Sequence, residues 1–140
     1  MIESRRIYID TSPYIYYLEK NVQYGDKVKE FFMNHYDLGA EFVTSAITIE
    51  EYSIAPYREN NTKLLKDFDM LIEDMNTNVV DITKHIAKKA AQIRAGYRHF
   101  KAMDALQLAA AVNCGCDVFL TNDKQLRQFK ELKVMTMEEL

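Results

Sequence analysis

Short, nearly all-apolar runs alternate along this chain with longer segments whose apolar residues recur every three or four positions. Arg6 to Ile9 predicts a short buried strand. Thr11-Ser12-Pro13 predicts a turn, and Pro13 to Glu19 a helix whose first turn suits the proline. Asp26 to Tyr36 is amphipathic, with Val28, Phe31 and Phe32 inward and Gly39 closing the helix. Glu41 to Thr44 reads as a second strand. Ser45 then caps a helix from Ala46 to about Ile54, with Pro56 near its end. The clearest period lies between Thr62 and Met75, where Leu64, Leu65, Phe68, Leu71, Ile72 and Met75 share one helical face. Val79 to Ile82 predicts a third strand, and Thr83 the cap of a helix carrying Ile86, Ala90, Ile93 and Tyr97. Another helix runs from near Asp104 to Gly115. Asp117 to Leu120 is the fourth strand, Asp123 to Phe129 a short helix, and Lys133 to Thr136 a last edge strand.

Helices separating short apolar strands imply the α/β class: a central parallel sheet of four to five strands with helices on both faces. Neither repeats nor linkers interrupt the pattern, and 140 residues suit a single domain, 1–140. In such sheets ligands bind beyond the carboxyl ends of the strands. Acids stand at or near those ends. Asp10 follows Ile7-Tyr8-Ile9, and Asp123 comes three residues after Val118-Phe119-Leu120. Asp104 opens an alanine- and leucine-rich stretch, and Glu51 lies within the apolar segment Ala46 to Tyr52.

Each acid taken alone reads as a cap or an ion-pair member, and a cap stabilises its helix by about 1 kcal/mol. Four together suggest a shared site. Two like charges at ~4 Å and an effective dielectric of ~20 repel by ~4 kcal/mol, and a hard divalent cation removes that cost. Carboxylate oxygens suit Mg²⁺ or Mn²⁺. Glu51 shares a helical face with Ile47, Ile54 and Ala55, and a buried acid needs a partner. Glu50 has nearly the same flanks, so periodicity leaves both open.

These same segments resemble the motifs of PIN-domain proteins. Ile7-Tyr8-Ile9-Asp10-Thr11-Ser12 is similar to the opening motif, and Thr44 to Tyr52 to the second, in which the acid six residues after the serine binds metal. That selects Glu51. Met103 to Ala109 resembles the third motif and Val118 to Asp123 the fourth. Compact size makes the chain most similar to the VapC-type toxins of prokaryotic toxin–antitoxin pairs. The resemblance implies metal-dependent cleavage of RNA, with Asp10, Glu51, Asp104 and Asp123 as the catalytic and metal-binding quartet. Thr11, Ser12, Thr121 and Asn122 match supporting positions. Met103 departs from the small residue or proline frequent before the third acid, and the fourth ligand is Asp123 rather than Asn122 because an acid binds Mg²⁺ better. A cognate antitoxin, a homodimer and the cofactor Mg²⁺ or Mn²⁺ are further expectations of the same kind.

Charge adds one feature. Net charge is −3, which argues against non-specific coating of nucleic acid. Between Ile82 and Met103, however, there is no acid, while Lys84, Lys88, Lys89, Arg94, Arg98 and Lys101 supply six cations of the chain's 18. Three readings stand: a solvated helix face, a rim contacting RNA phosphates, or a docking surface for an antitoxin, with Lys88, Arg94, Arg98 and Lys101 as the contacts. Tyr97 and Phe100 either stack on unpaired bases or pack in the core. His35, His85 and His99 read as surface residues, and Cys114 and Cys116 as small residues at a helix end, since no second ligand pair accompanies them. A charged opening with Glu3, Arg5 and Arg6, without a long apolar region, implies a cytoplasmic protein with no membrane segment. The rivals to a toxin are a housekeeping RNA-processing nuclease and a PIN-like module that binds RNA or protein without cutting.

Overall fold

A computed structural model describes residues 5–140; part of the charged opening, including Glu3, lies outside them. Five parallel strands form one sheet in the order β3-β2-β1-β4-β5. They are β1 (Arg6–Ile9), β2 (Glu41–Ser45), β3 (Asn78–Val80), β4 (Val118–Thr121) and β5 (Lys133–Thr136). Six helices connect them: α1 (Thr11–Leu18), α2 (Gly25–Asp37), α3 (Ala46–Arg58), α4 (Thr62–Asp74), α5 (Lys84–Gly96) and α6 (Ala102–Asn113). Strand β1 is central. It pairs with β2 on one side, where Tyr8 faces Val43, and with β4 on the other, where Tyr8 faces Phe119.

Alternation along β1 splits the core in two. Tyr8 points to one face and packs with Phe119, Ile86, Ile93 and Leu108, beneath α5 and α6. Ile7 and Ile9 point to the other and pack with Tyr14, Phe32, Tyr52 and Phe68, beneath α1 to α4. Burial on both faces explains why the strands read as apolar runs rather than alternating ones. The Tyr8 and Phe119 rings stack at 5.1 Å.

Helix ends follow their local chemistry. Asp10, Ser45, Asn61 and Thr83 each occupy an N-cap and accept a backbone N–H from the first turn. Helices α2 and α6 close on Gly39 and Gly115, both at positive φ, with paired backbone bonds from Ala40 to His35 and from Cys116 to Ala111. Removing the Ser45 hydroxyl with Ser45→Ala is expected to cost about 1 kcal/mol. That corresponds to a fall of about 3 °C in a thermal melt.

Several element boundaries depart from the sequence expectation. Helix α1 begins at Thr11, not Pro13, because the proline sits in a first turn whose N–H groups have no helical partner anyway. Helix α3 runs through Pro56 to Arg58; the ring forfeits one bond to the Tyr52 carbonyl but is itself buried. Strand β3 is Asn78–Val80 rather than Val79–Ile82, since its partner β2 ends at Ser45, opposite Val80. The expected helix after Asp123 is a 3₁₀ turn, Lys124–Gln128.

Candidate active site

Chain order places the site. From β1 the sheet grows through β2 to β3, then resumes on the opposite side of β1 with β4 and β5. The β1/β4 junction is therefore the topological switch point, where the loops leaving the carboxyl ends separate and open a crevice. An open cavity of about 390 Å³ lies there, lined by Asp10, Thr11, Ser12, Ile15, Glu51, Asp104, Thr121, Asn122 and Asp123. All four expected acids and all four expected supporting residues line it.

Asp10 sits at its centre, 8% exposed. Its backbone extends the sheet by donating to the Leu120 carbonyl at 3.0 Å. One carboxylate oxygen, Oδ1, accepts the Thr11 N–H at 2.7 Å and the Gln107 amide at 2.8 Å; the other accepts the Thr121 hydroxyl at 2.7 Å. Glu51 lies one helix away on α3. Its Oε1 accepts the Thr11 hydroxyl at 2.7 Å and the Gln107 amide at 3.2 Å. Asp104 stands in the first turn of α6, where Lys101 holds the cap position. Asp123 caps the 3₁₀ turn through Gln125 N–H. The loop bearing it is tied to α1, because Asn122 N–H donates to the Ser12 hydroxyl and the Asn122 side chain to the Tyr16 hydroxyl at 2.7 Å.

Electrostatics report the crowding. Burial pushes the Asp10 carboxyl up to about 6, the charges of Asp104 and Glu51 add to this, and the Thr121 and Thr11 hydrogen bonds oppose it. Burial also raises Asp104, joined by the charges of Asp123 and Glu51 and opposed by Lys101. The fold thus gathers negative charge that its own residues do not neutralise. Among the described residues, no three Asp, Glu, His or Cys side chains stand grouped so that they could hold a metal ion by themselves. An open, all-oxygen donor set fits Mg²⁺ or Mn²⁺, since Mg²⁺ keeps several waters and uses one or two carboxylates together with substrate phosphate.

Several expectations need correction. Glu51 is the acid at the cavity, but not for the face it was assigned: Ile54 and Ala55 are exposed, Ile47 is half-buried, and Glu51 itself is only half-buried. The buried face of α3 is Thr48, Tyr52 and Pro56. Asp104 does not cap its helix. Phe100 is buried, and Tyr97 stacks on it at 4.8 Å while meeting the Phe129 ring, so core packing describes both aromatics. In the basic segment Lys89 is paired with Glu131, whereas Lys88, Arg94, Arg98 and Lys101 are exposed. His35 is half-buried, with Nδ1 hydrogen-bonded to the Phe31 carbonyl. Sequence reading missed Gln107, Tyr8 and Thr48 as polar partners beneath the cavity. Their signal was a glutamine amid the apolar run of α6.

A larger cavity, about 870 Å³, opens at the amino end of the strands. It lacks an acid cluster, and its Arg6 is taken up by Glu41 and the Cys114 carbonyl.

The fold and site define an α/β protein whose parallel sheet presents an acid-lined crevice at its carboxyl edge. Residues 7–132 match the model of the PIN domain, and the chain belongs to the PIN-domain family. Solved structures share the fold at low identity. VapBC2 from Rickettsia felis, bound to a DNA fragment from its promoter, is similar with a TM-score of 0.79 at 12% identity, covering 94% of this chain and 98% of that one. FitAcB from Neisseria gonorrhoeae is similar with a TM-score of 0.73 at 19% identity, over 96% and 99%. The sarcin-ricin loop cleaving toxin VapC20 from Mycobacterium tuberculosis is similar with a TM-score of 0.65 at 15% identity, over 81% and 86%. Among curated proteins, none matches the chain's sequence. Of the described residues, no helix is long and apolar enough to cross a membrane.

Proposed function

We propose that residues 1–140 form one metal-dependent endoribonuclease domain that hydrolyses RNA phosphodiesters and acts as the toxin of a toxin–antitoxin pair. The observation that carries this reading is the convergence of Asp10, Glu51, Asp104 and Asp123, drawn from four separate segments, on one open cavity. Membership of the PIN-domain family supports the nuclease, and the likeness to chains from toxin–antitoxin assemblies supports the antitoxin partner and the toxin role.

Asp10, Glu51, Asp104 and Asp123 would hold Mg²⁺ or Mn²⁺, which supplies Lewis acidity and a lowered pKa for the attacking water. The remaining work falls to the chain. Thr11 and Thr121 donate to carboxylate oxygens that would otherwise turn, and so orient Glu51 and Asp10. Ser12 and Asn122 fix the β4 loop against α1 and keep Asp123 beside the cavity. The Thr11, Ser12 and Thr121 hydroxyls of the lining are engaged by Glu51, the Asn122 N–H and Asp10, so water would be the nucleophile. Lys101, whose charge already reaches Asp104, would attract an incoming RNA phosphate, and Lys88, Arg94 and Arg98 are exposed along the same segment.

Purified protein is expected to cut single-stranded RNA with Mg²⁺ or Mn²⁺ present and to stop when EDTA is added. Expression in a host cell is expected to arrest growth, with relief by a small co-encoded partner. Metal-independent cleavage would remove the acidic site from the reaction. Harmless expression of an active nuclease would favour the housekeeping role.

A further inference from the structure

Beneath the acids lies a buried amide. Gln107 of α6 is 1% exposed, and its side chain faces two kinds of partner. Its Oε1 accepts hydrogen bonds from the Tyr8 hydroxyl and from the Thr48 hydroxyl at 3.0 Å. Its Nε2 donates to Asp10 Oδ1 at 2.8 Å and Glu51 Oε1 at 3.2 Å, with the Thr11 hydroxyl at 3.3 Å. Chemistry fixes this orientation. Carboxylates only accept, so a reversed amide would set its oxygen against two anions. Tyr8 is in turn locked by its ring stack on Phe119, and Thr48 by burial in α3.

We infer that Gln107 is a positioning residue: its clamped amide bridges Asp10 and Glu51 and fixes how far apart the two carboxylates stand before a cation arrives. The inference rests on the metal-site reading above and extends it to groups outside the cavity. Asp10 follows β1, Glu51 sits on α3 and Gln107 on α6, so among the described residues nothing polar but Thr11 would still join Glu51 to Asp10 without the bridge, its hydroxyl donating to Glu51 and its backbone N–H to Asp10. An outer partner of this kind orients the metal ligand it touches, and its loss typically lowers metal affinity or activity.

The test uses the full chain, stripped of metal and titrated with Mn²⁺, with free ion followed by electron paramagnetic resonance. Gln107→Met, which keeps the length and removes both amide functions, is expected to weaken Mn²⁺ binding about 10- to 100-fold. It should lower kcat for RNA cleavage while leaving KM for RNA unchanged, since Gln107 lies below the surface that RNA would touch. Thr48→Val, nearly isosteric, frees one clamp on the amide and should shift both readouts the same way by a smaller factor; it decides the matter if Gln107→Met does not fold. Both variants binding Mn²⁺ like the wild type, with only lower melting temperatures, would reduce Gln107 to a packing role. Asp10→Asn separates the two levels. Loss of Mn²⁺ in that variant beside full binding in Gln107→Met overturns the positioning role alone, whereas a wild type that binds no Mn²⁺ overturns the metal site and the positioning role together.

Discussion

Asp10→Asn is expected to cut metal-dependent RNA cleavage by more than about 100-fold, the upper range for losing a mere outer partner of a metal ligand. The substitution is nearly silent in shape. Asparagine is as good an N-cap as aspartate, so α1 keeps its start. A side-chain carbonyl oxygen remains to accept the Thr11 N–H and the Gln107 amide, as Oδ1 does now. What disappears is the charge at the centre of the crevice and the oxygen that accepts from Thr121. Asp104→Asn should act in the same direction, and more simply, because Asp104 caps nothing and stands in the first turn of α6 facing Glu51 and Asp123. Initial rates on single-stranded RNA at saturating Mg²⁺, beside thermal melts of each variant, make the comparison. Either variant cutting at the wild-type rate would sink the acidic cavity as the seat of chemistry.

The sheet and the positions of Asp10 and Asp123 were legible in the sequence because both rest on local signals. Apolar runs of three or four residues between helical periods leave a doubly covered parallel sheet as the simplest arrangement, and Asp10 and Asp123 stand where those runs stop. Glu51 was legible only through the family motif. The argument from its helical face failed because Ile54 and Ala55, though apolar, point to solvent. Boundaries slipped where a proline suggested a break: Pro13 and Pro56 both lie inside helices, one in a first turn and one on a buried face. The polar floor was not legible. Tyr8, Thr48 and Gln107 come from β1, α3 and α6, and a hydrogen bond spanning 99 positions, as between Tyr8 and Gln107, leaves no periodic trace. The glutamine amid the apolar run of α6 is the one trace, and it does not name its partners until the strands and helices are docked.

In EDTA the wild type is expected to lose stability as pH rises from about 4 to about 7, and Asp10→Asn is expected to lose less. The sign follows from where the proton is held. Asp10 titrates near 3.8 when unfolded and is pushed up to about 6 in the fold by burial, so the folded state binds the extra proton. The resulting stability is fully present below the unfolded value and is lost as pH climbs through about 6. Such a displacement corresponds to about 3 kcal/mol. In a chain of this size that amounts to about 10 °C in melting temperature. Asp104 adds to the trend in the same direction. The difference between wild type and Asp10→Asn isolates one carboxyl from the rest: the two should converge below the unfolded value of 3.8, and the variant should melt higher at pH 7. A millimolar divalent cation should restore the wild type at pH 7 and do far less for the variant, because an ion that binds only the folded state stabilises it by mass action. A variant that melts below the wild type at pH 7 without metal would mean that the fold already compensates the Asp10 charge. The crevice would then hold no electrostatic reason to recruit an ion, and the case for this site as a metal-dependent nuclease would lose its physical basis.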